Sequence, residues 1–248
     1  MIRNATGKHA DSIHENAVFA QDGEVGPTTD VLFDDHTWTV RYLALLLEDG
    51  LDGRQTLVTP QAVASLDRQA RALRLNADAE SVRRAPHLEA NLPVAAQQEV
   101  AYYEHLGADP YWEGDPAQPV PAPGVASGEA ALPATGDPHL RSAQEITGYG
   151  IEAADGSAGH VENLLLDDES WRIRYLVADT RDWLPAKKVL IPLSAISEIR
   201  WAPEKVLVEL AGNDLKEAPG WDPDAPFDRD YETRVHEHYG RTPYWVYE

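Results

Sequence analysis

Residues 19–112 overlay residues 152–245 at a constant offset of 133 positions, without a gap. Asp22-Gly23 falls on Asp155-Gly156, Gly26 on Gly159 and Asp34-Asp35 on Asp167-Asp168. Trp38 falls on Trp171, Arg41-Tyr42-Leu43 on Arg174-Tyr175-Leu176, and Ala85-Pro86 on Ala218-Pro219. Towards the end Glu104-His105 matches Glu237-His238, Gly107 matches Gly240, and Pro110-Tyr111-Trp112 matches Pro243-Tyr244-Trp245. The unit is far longer than the roughly 20–50 residues of a solenoid repeat, so each copy is expected to be a domain. Between the copies, residues 115–138 carry six prolines and no aromatic residue, a composition that reads as a semi-extended linker. The expected division is therefore a first repeat over 1–114, a Pro/Ala/Gly-rich linker over 115–138 and a second repeat over 139–248.

Composition bounds the function. The chain has 248 residues, 43% of them hydrophobic, with seven Trp and ten Tyr, enough for two packed cores of common domain size. It has no cysteine, which excludes disulfides, thiolate metal sites and cysteine nucleophiles. No run approaches the roughly 20 apolar residues of a membrane helix, and the start lacks a basic-then-apolar signal pattern. The expectation is a cytoplasmic protein with no integral membrane segment. The formal charge of −21 repels phosphate backbones and anionic lipid, disfavouring direct nucleic-acid or peripheral membrane binding, and favours basic partners. Adaptation to salt or to a GC-rich genome accounts for the same charge. Only five of the 21 basic residues are Lys.

Within each copy the first half reads as strands. Asp22-Gly23 and Asp155-Gly156 are hairpin-type turn dipeptides. Val31-Leu32-Phe33 and Leu164-Leu165-Leu166 run into the double-Asp corners, where short acidic side chains bond nearby backbone N–H groups. Trp38, Val40, Tyr42 and Ala44 then alternate with Thr39, Arg41 and Leu43. Trp171, Ile173, Tyr175 and Val177 alternate likewise with Arg172, Arg174 and Leu176, predicting a strand with its Trp/Tyr face in a core. Leu57-Val58, Leu73-Arg74-Leu75, Leu190-Ile191 and Val206-Leu207-Val208 add further strands. A helix is expected to close each copy, capped by Asn91 or Asp224 with Pro93 or Pro226 in its first turn, and ended by Gly107 or Gly240. Its apolar stripe is Val94, Gln98, Tyr102, His105 and Leu106 in the first copy. In the second it is Phe227, Tyr231, Val235, His238 and Tyr239.

These residues resemble the PRC-barrel domains, the family of the reaction-centre H subunit cytoplasmic domain and the C-terminal domain of the ribosome maturation factor RimM. The matching stretch runs from Gly148-Tyr149-Gly150-Ile151 through Asp155-Gly156 to Gly159, and on to Asn163 and Asp167-Asp168. It continues through Trp171, Arg174-Tyr175-Leu176-Val177, Asp179-Thr180, Trp183-Leu184-Pro185 and Lys187-Lys188 to Pro192. The segment from Ala85-Pro86 to Trp112, and its twin, look like the tail of tandem, stand-alone bacterial members. The first copy departs from the pattern at Glu15-Asn16-Ala17, Leu46-Leu47 and Gly50. The resemblance implies a mainly β fold of two tandem small antiparallel β-barrels, each with a C-terminal closing helix. It implies a docking surface, no cofactor and no catalytic residues. A link to photosynthetic electron transfer rests on family analogy alone.

The residues themselves carry little chemistry. The double-Asp corners lack the acidic ladder of a calcium loop and read as turns. His236 and His238 are two apart on a helix and face different ways, unlike an i, i+4 zinc pair, and His105 and His238 read as packed core histidines. No nucleophile elbow, phosphate loop or dinucleotide fingerprint is present, so no metal site and no catalytic residue is assigned and an enzyme is not expected. Arg41 and Arg174 point away from the Trp/Tyr face, either to pair with acids or to meet a partner. Tyr111, Trp112, Tyr244 and Trp245 are aromatics in a tail, a residue class enriched at interfaces. They either contact a partner or fold back as an anchor. These six residues are the candidate interaction surface. The leading expectation is a scaffold or adaptor for an unknown protein partner, with pairing of the two repeats or a homodimer also allowed. The alternatives are a small-molecule or ion sensor with a site between the repeats, or an enzyme of unrecognised type.

Overall fold

The computed structural model describes residues 7–9, 16–47, 55–67, 70–85, 139–167, 169–180, 187–223, 225 and 227–247. In chain order the strands begin with β1 (Gly7–His9). The first copy follows with β2 (Ala17–Ala20), β3 (Gly23–Asp34), β4 (Val40–Leu46), β5 (Gln55–Val58), β6 (Val63–Asp67) and β7 (Ala72–Leu75), then helix α1 (Ala79–Arg84). Next come β8 (Leu140–Ser142), helix α2 (Ala143–Ile146), β9 (Gly150–Ala153), β10 (Gly156–Asp167) and β11 (Arg172–Asp179). The chain continues with β12 (Lys188–Pro192), β13 (Ile196–Arg200), β14 (Lys205–Val208), helix α3 (Gly212–Glu217) and helix α4 (Arg229–His238). The offset of the sequence repeat carries β1 onto β8, β2 onto β9, β3 onto β10, β6 onto β13, β7 onto β14 and α1 onto α3, residue for residue.

The fold is mainly β, with two seven-stranded sheets ordered β5-β4-β3-β2-β7-β6 and β12-β11-β10-β9-β14-β13. Two features depart from the expected antiparallel barrel. Each sheet contains one parallel pair, β2 with β7 and β9 with β14, and among the described residues no pairing joins the two ends of either sheet. The last strand of each copy returns beside the first, and the sheet stays open.

The compact units also cross the expected boundaries. One unit comprises Met1–Asp11 with Ser142–Glu248, the other Ser12–Arg141. Strand β1 pairs antiparallel with the end of β10, placing Gly7 opposite Asp167 and His9 opposite Leu165. Strand β8 pairs with β3. Each unit thus takes its seventh strand from the segment that leads into the other repeat. Such a strand covers an otherwise unpaired sheet edge.

The turn dipeptides have a shared job. Asp22 Oδ1 accepts from the backbone N–H of Ala79 (2.7 Å) and Asp155 Oδ1 from that of Gly212 (2.6 Å). Each hairpin turn therefore supplies a carboxylate to the first N–H of a helix 57 residues on. Gly159 is required by contact as well as conformation: its φ is +101°, and a Cβ there would stand 2.2 Å from the carbonyl oxygen of Asp179. Gly26, its twin, has φ +133°.

The alternation predicted for the Trp-x-x-Arg-Tyr strand is corrected in two ways. Trp38 and Trp171 precede the strands, in turns with left-handed φ of 58° and 54°, and both are half-buried rather than core. The strand itself is buried on both faces, since Tyr175, Leu176, Val177 and Ala178 are all 0% exposed. The Tyr175 face is covered by α4 and Phe227.

Helix α4 is capped by Asp228, whose Oδ1 accepts from Tyr231 N–H (2.8 Å), and not by Asp224, which lies outside the described residues together with Pro226. Its end follows the expected rule. Gly240 has φ +62°, its N–H donates to Glu237, and that of Arg241 donates to His236, the paired bonds of a Schellman motif. The closing helix expected in the first copy, with Asn91, Pro93 and Gly107, falls outside the described residues.

Candidate functional site

The groups best suited to chemistry gather under α4 in the second copy. Glu232, Val235, His236 and Tyr239 follow i, i+3, i+4, i+7 spacing and are all buried, so the inner face of this helix is half polar. The expected stripe placed His238 there instead. His238 is half-exposed and its Nε2 meets the carbonyl oxygen of Asp214 at 2.7 Å. His236 is the core histidine.

Glu232 is 0% exposed. Its Oε1 accepts from the hydroxyls of Tyr175 (3.0 Å) and Tyr244 (2.9 Å), and its Oε2 lies 3.2 Å from Arg229 Nη1. The Tyr175 oxygen also lies 3.0 Å from His236 Nε2. Because the Tyr175 proton is committed to Glu232, that oxygen must accept from the imidazole, which assigns the His236 proton to Nε2. The Arg241 backbone is a further hydrogen-bonding neighbour of the His236 ring.

Electrostatics follow from this enclosure. Burial raises the Glu232 pKa, opposed by the Tyr244 hydroxyl and Arg229. Burial lowers that of His236 to about 4, keeping the ring neutral at pH 7. Tyr175 is pushed far up by burial and by the Glu232 charge, and Tyr244 is pushed up for the same two reasons. Shifted acids and bases are what a catalytic site needs. Here, however, the hydroxyls and the carboxylate are spent on one another, and Tyr175, Glu232 and His236 are closed from solvent.

The tail supplies the lid. Arg241 donates to the carbonyl oxygens of Ser194 (3.1 Å) and Glu209 (3.2 Å), fixing the chain as it leaves α4. The Tyr244 ring lies under the Arg174 guanidinium (4.0 Å), and the Trp245 ring lies under that of Arg229 (3.9 Å) and edge-on to His236 (5.3 Å). The next two residues turn outward, with Val246 62% and Tyr247 79% exposed.

Of the six candidate interaction residues, the structure brings three together. Arg174, Tyr244 and Trp245 all belong to this latch, and Arg174 also donates to Asp167 Oδ2 (3.1 Å). Arg41 stands in the first copy, 1% exposed and 3.6 Å from Asp34 Oδ2. Tyr111 and Trp112 lie outside the described residues. Glu232 and His236 were missed because a helical acid next to solvent-facing acids reads as surface. One signal was present: Glu232 is identical to Glu99 at the repeat offset, as Tyr175 is to Tyr42 and Tyr244 to Tyr111.

The first residues of the double-Asp corners serve turns. Asp34 Oδ1 accepts from His36 and Thr37 N–H, and Asp167 Oδ1 from Glu169 and Ser170 N–H. Among the described residues no group of three or more His, Asp and Glu side chains converges as a metal set, and no helix is long and apolar enough to cross a membrane. An open cavity of about 420 Å³ lies beside α4, lined by Trp221, Asp222, Asp228, Tyr231 and Arg234 among others. Burial pushes the Tyr231 hydroxyl up to about 12. No protein-family model matches the chain, and no curated protein matches it.

Proposed function

We propose that this chain is a non-catalytic scaffold or adaptor, a tandem member of the PRC-barrel type, that binds another protein through the tail of its second repeat. The observation that carries this reading is the division of labour along that tail. Arg241, Tyr244 and Trp245 hold it from inside, while Val246 and Tyr247 are the large hydrophobics exposed among the described residues. A side chain presented on an ordered backbone binds without a large ordering cost, and tyrosine is enriched among the residues that dominate binding energy. The buried Glu232–Tyr175–His236 group supports a structural and not a catalytic role, since a reacting substrate could not reach it.

A ligand-sensing function has one observation in its favour, the cavity beside α4, where Trp221 and Tyr231 provide apolar walls and Arg234 with two acids provides polar ones. The two readings separate in one experiment. Full-length protein and a Val246→Asp/Tyr247→Asp variant are used to capture proteins from lysate of the source cells, with quantitative mass spectrometry. A partner retained by the wild type and lost from the variant supports the adaptor. Equal capture by both, with an Arg234→Ala variant abolishing a small-molecule melting shift, would replace it with the sensor.

A further inference from the structure

We propose that the end of β3, with the Asp35 carboxylate, is a docking site for a basic extended segment of a partner protein, and that residues 139–141 of the chain itself occupy it as an exchangeable cover. The backbone N–H of Asp35 donates to the carbonyl oxygen of His139 (2.9 Å), and β8 pairs with β3. The segment therefore adds a strand to an open edge, the geometry by which sheets take up extended peptides. Its side chains add a charge code. Residues two apart on a strand point the same way. His139 Nδ1 accordingly lies 2.8 Å from Asp35 Oδ1, and Arg141 Nε donates to Asp35 Oδ2 at 3.0 Å. One carboxylate thus reads a basic-x-basic pattern, and the His139 and His36 rings stand 5.9 Å apart beside it.

The cover is lightly held. No side chain of residues 139–142 is buried: His139 is exposed and Leu140, Arg141 and Ser142 are half-buried. The His139 side of the pair is 56% exposed, an ion pair of the weakly stabilising solvent-facing kind, and short strands without buried side chains open at low cost. The corner's two acids divide the work, with Asp34 tying the turn and Asp35 facing the segment. A chain of net charge −21 draws basic segments to its surface. At the repeat offset His139 and Arg141 correspond to Thr6 and Lys8, so the first repeat's leader, which pairs with β10, does not carry the same pair of basic residues.

This site uses none of the residues of the tail tip and depends on the adaptor reading only for the existence of a protein partner; a peptide titration examines it directly. A fluorescein-labelled peptide of sequence GDPHLRSA is titrated by anisotropy against full-length wild type and against Arg141→Glu, which sets the chain's own segment against Asp35. The tethered segment competes at an effective concentration in the millimolar range, so releasing it should strengthen peptide binding by about tenfold. Asp35→Asn in the Arg141→Glu background should weaken binding again, and a peptide with Glu in place of its His and Arg should not bind. Equal binding to wild type and Arg141→Glu, or binding indifferent to Asp35→Asn, would overturn the site while leaving the tail-mediated capture experiment unaffected.

Discussion

Replacing Tyr175 by Phe removes one oxygen from the interior of the second repeat and leaves the ring in place. The ring keeps its edge contacts with Phe227 and Tyr244, at 6.0 and 6.4 Å, so no cavity opens. Two hydrogen bonds disappear: the one donated to Glu232 (3.0 Å) and the one accepted from His236 (3.0 Å). The first is to a carboxylate, worth about 1.5–3 kcal/mol, and the second strands a buried N–H at about 1–3 kcal/mol. Together they predict a loss of about 3–5 kcal/mol. At about 4 °C per kcal/mol for a domain near this size, melting should fall by more than about 10 °C. Hydrogen exchange read peptide by peptide isolates the second repeat, because β9 to β14 should lose protection while β2 to β7 do not. Tyr247→Phe, on an exposed ring, is the matched control. A loss below about 1 kcal/mol would mean that water or another group satisfies Glu232 and His236, and the sealed network would be refuted.

The His236 pKa is held near 4 by burial, below its ordinary value of 6.5. From about pH 6.5 down to 4 the unfolded chain therefore takes up a proton that the folded chain refuses. Stability from this group is intact above that window and lost as pH falls through it. Glu232, with its pKa raised by burial, works in the opposite sense, since the folded chain takes its proton first. His236→Gln removes only the former, so wild type should lose about 2 kcal/mol more than the variant between pH 7 and 4.5 in urea melts. A parallel pH dependence would refute the assignment. Gly159→Ala places a Cβ against the Asp179 carbonyl at positive φ and should cost at least about 2 kcal/mol in thermal melting; a neutral result would show that the β10–β11 crossing relaxes. Trp171→Ala, at a half-buried ring in a turn, should cost roughly 1–2 kcal/mol, below the about 3–5 of a core tryptophan, and a full core penalty would contradict its placement. Deleting residues 241–248 removes Arg241, Tyr244 and Trp245 together and should unfold the second repeat by circular dichroism; an unchanged melt would show that the latch contributes nothing.

The duplicated, mainly β organisation was legible because the repeat made its local readings twice, whereas the open sheets and their parallel β2–β7 and β9–β14 pairs depend on strand order, which no local pattern reports. Gly26 and Gly159, the Asp-Gly turns and the double-Asp corners each fell at one offset, and each proves to be a backbone requirement that two copies must share. The leader strands were not legible. Gly7–His9 and Leu140–Ser142 are too short and too polar to show a period, and their partners lie in the other repeat's sheet, which no local window reaches. The strand faces were misassigned because Trp38 and Trp171 sit one turn early, at positive φ, and a strand buried on both sides does not alternate. The latch was half legible. Tyr244 and Trp245 stood out as aromatics, but the buried Glu232 that Tyr244 serves reads as surface until the helix face is known.

An ordered docking element at the tail of the second repeat, as proposed above, has to change when a partner binds. The most direct measurement is a hydrogen-exchange footprint of a captured partner on the full-length protein. New protection is expected at residues 244–247, with the network around Glu232 already protected in the free protein and unchanged. Protection confined to the cavity lined by Trp221, Tyr231 and Arg234, with the tail as labile bound as free, would contradict it.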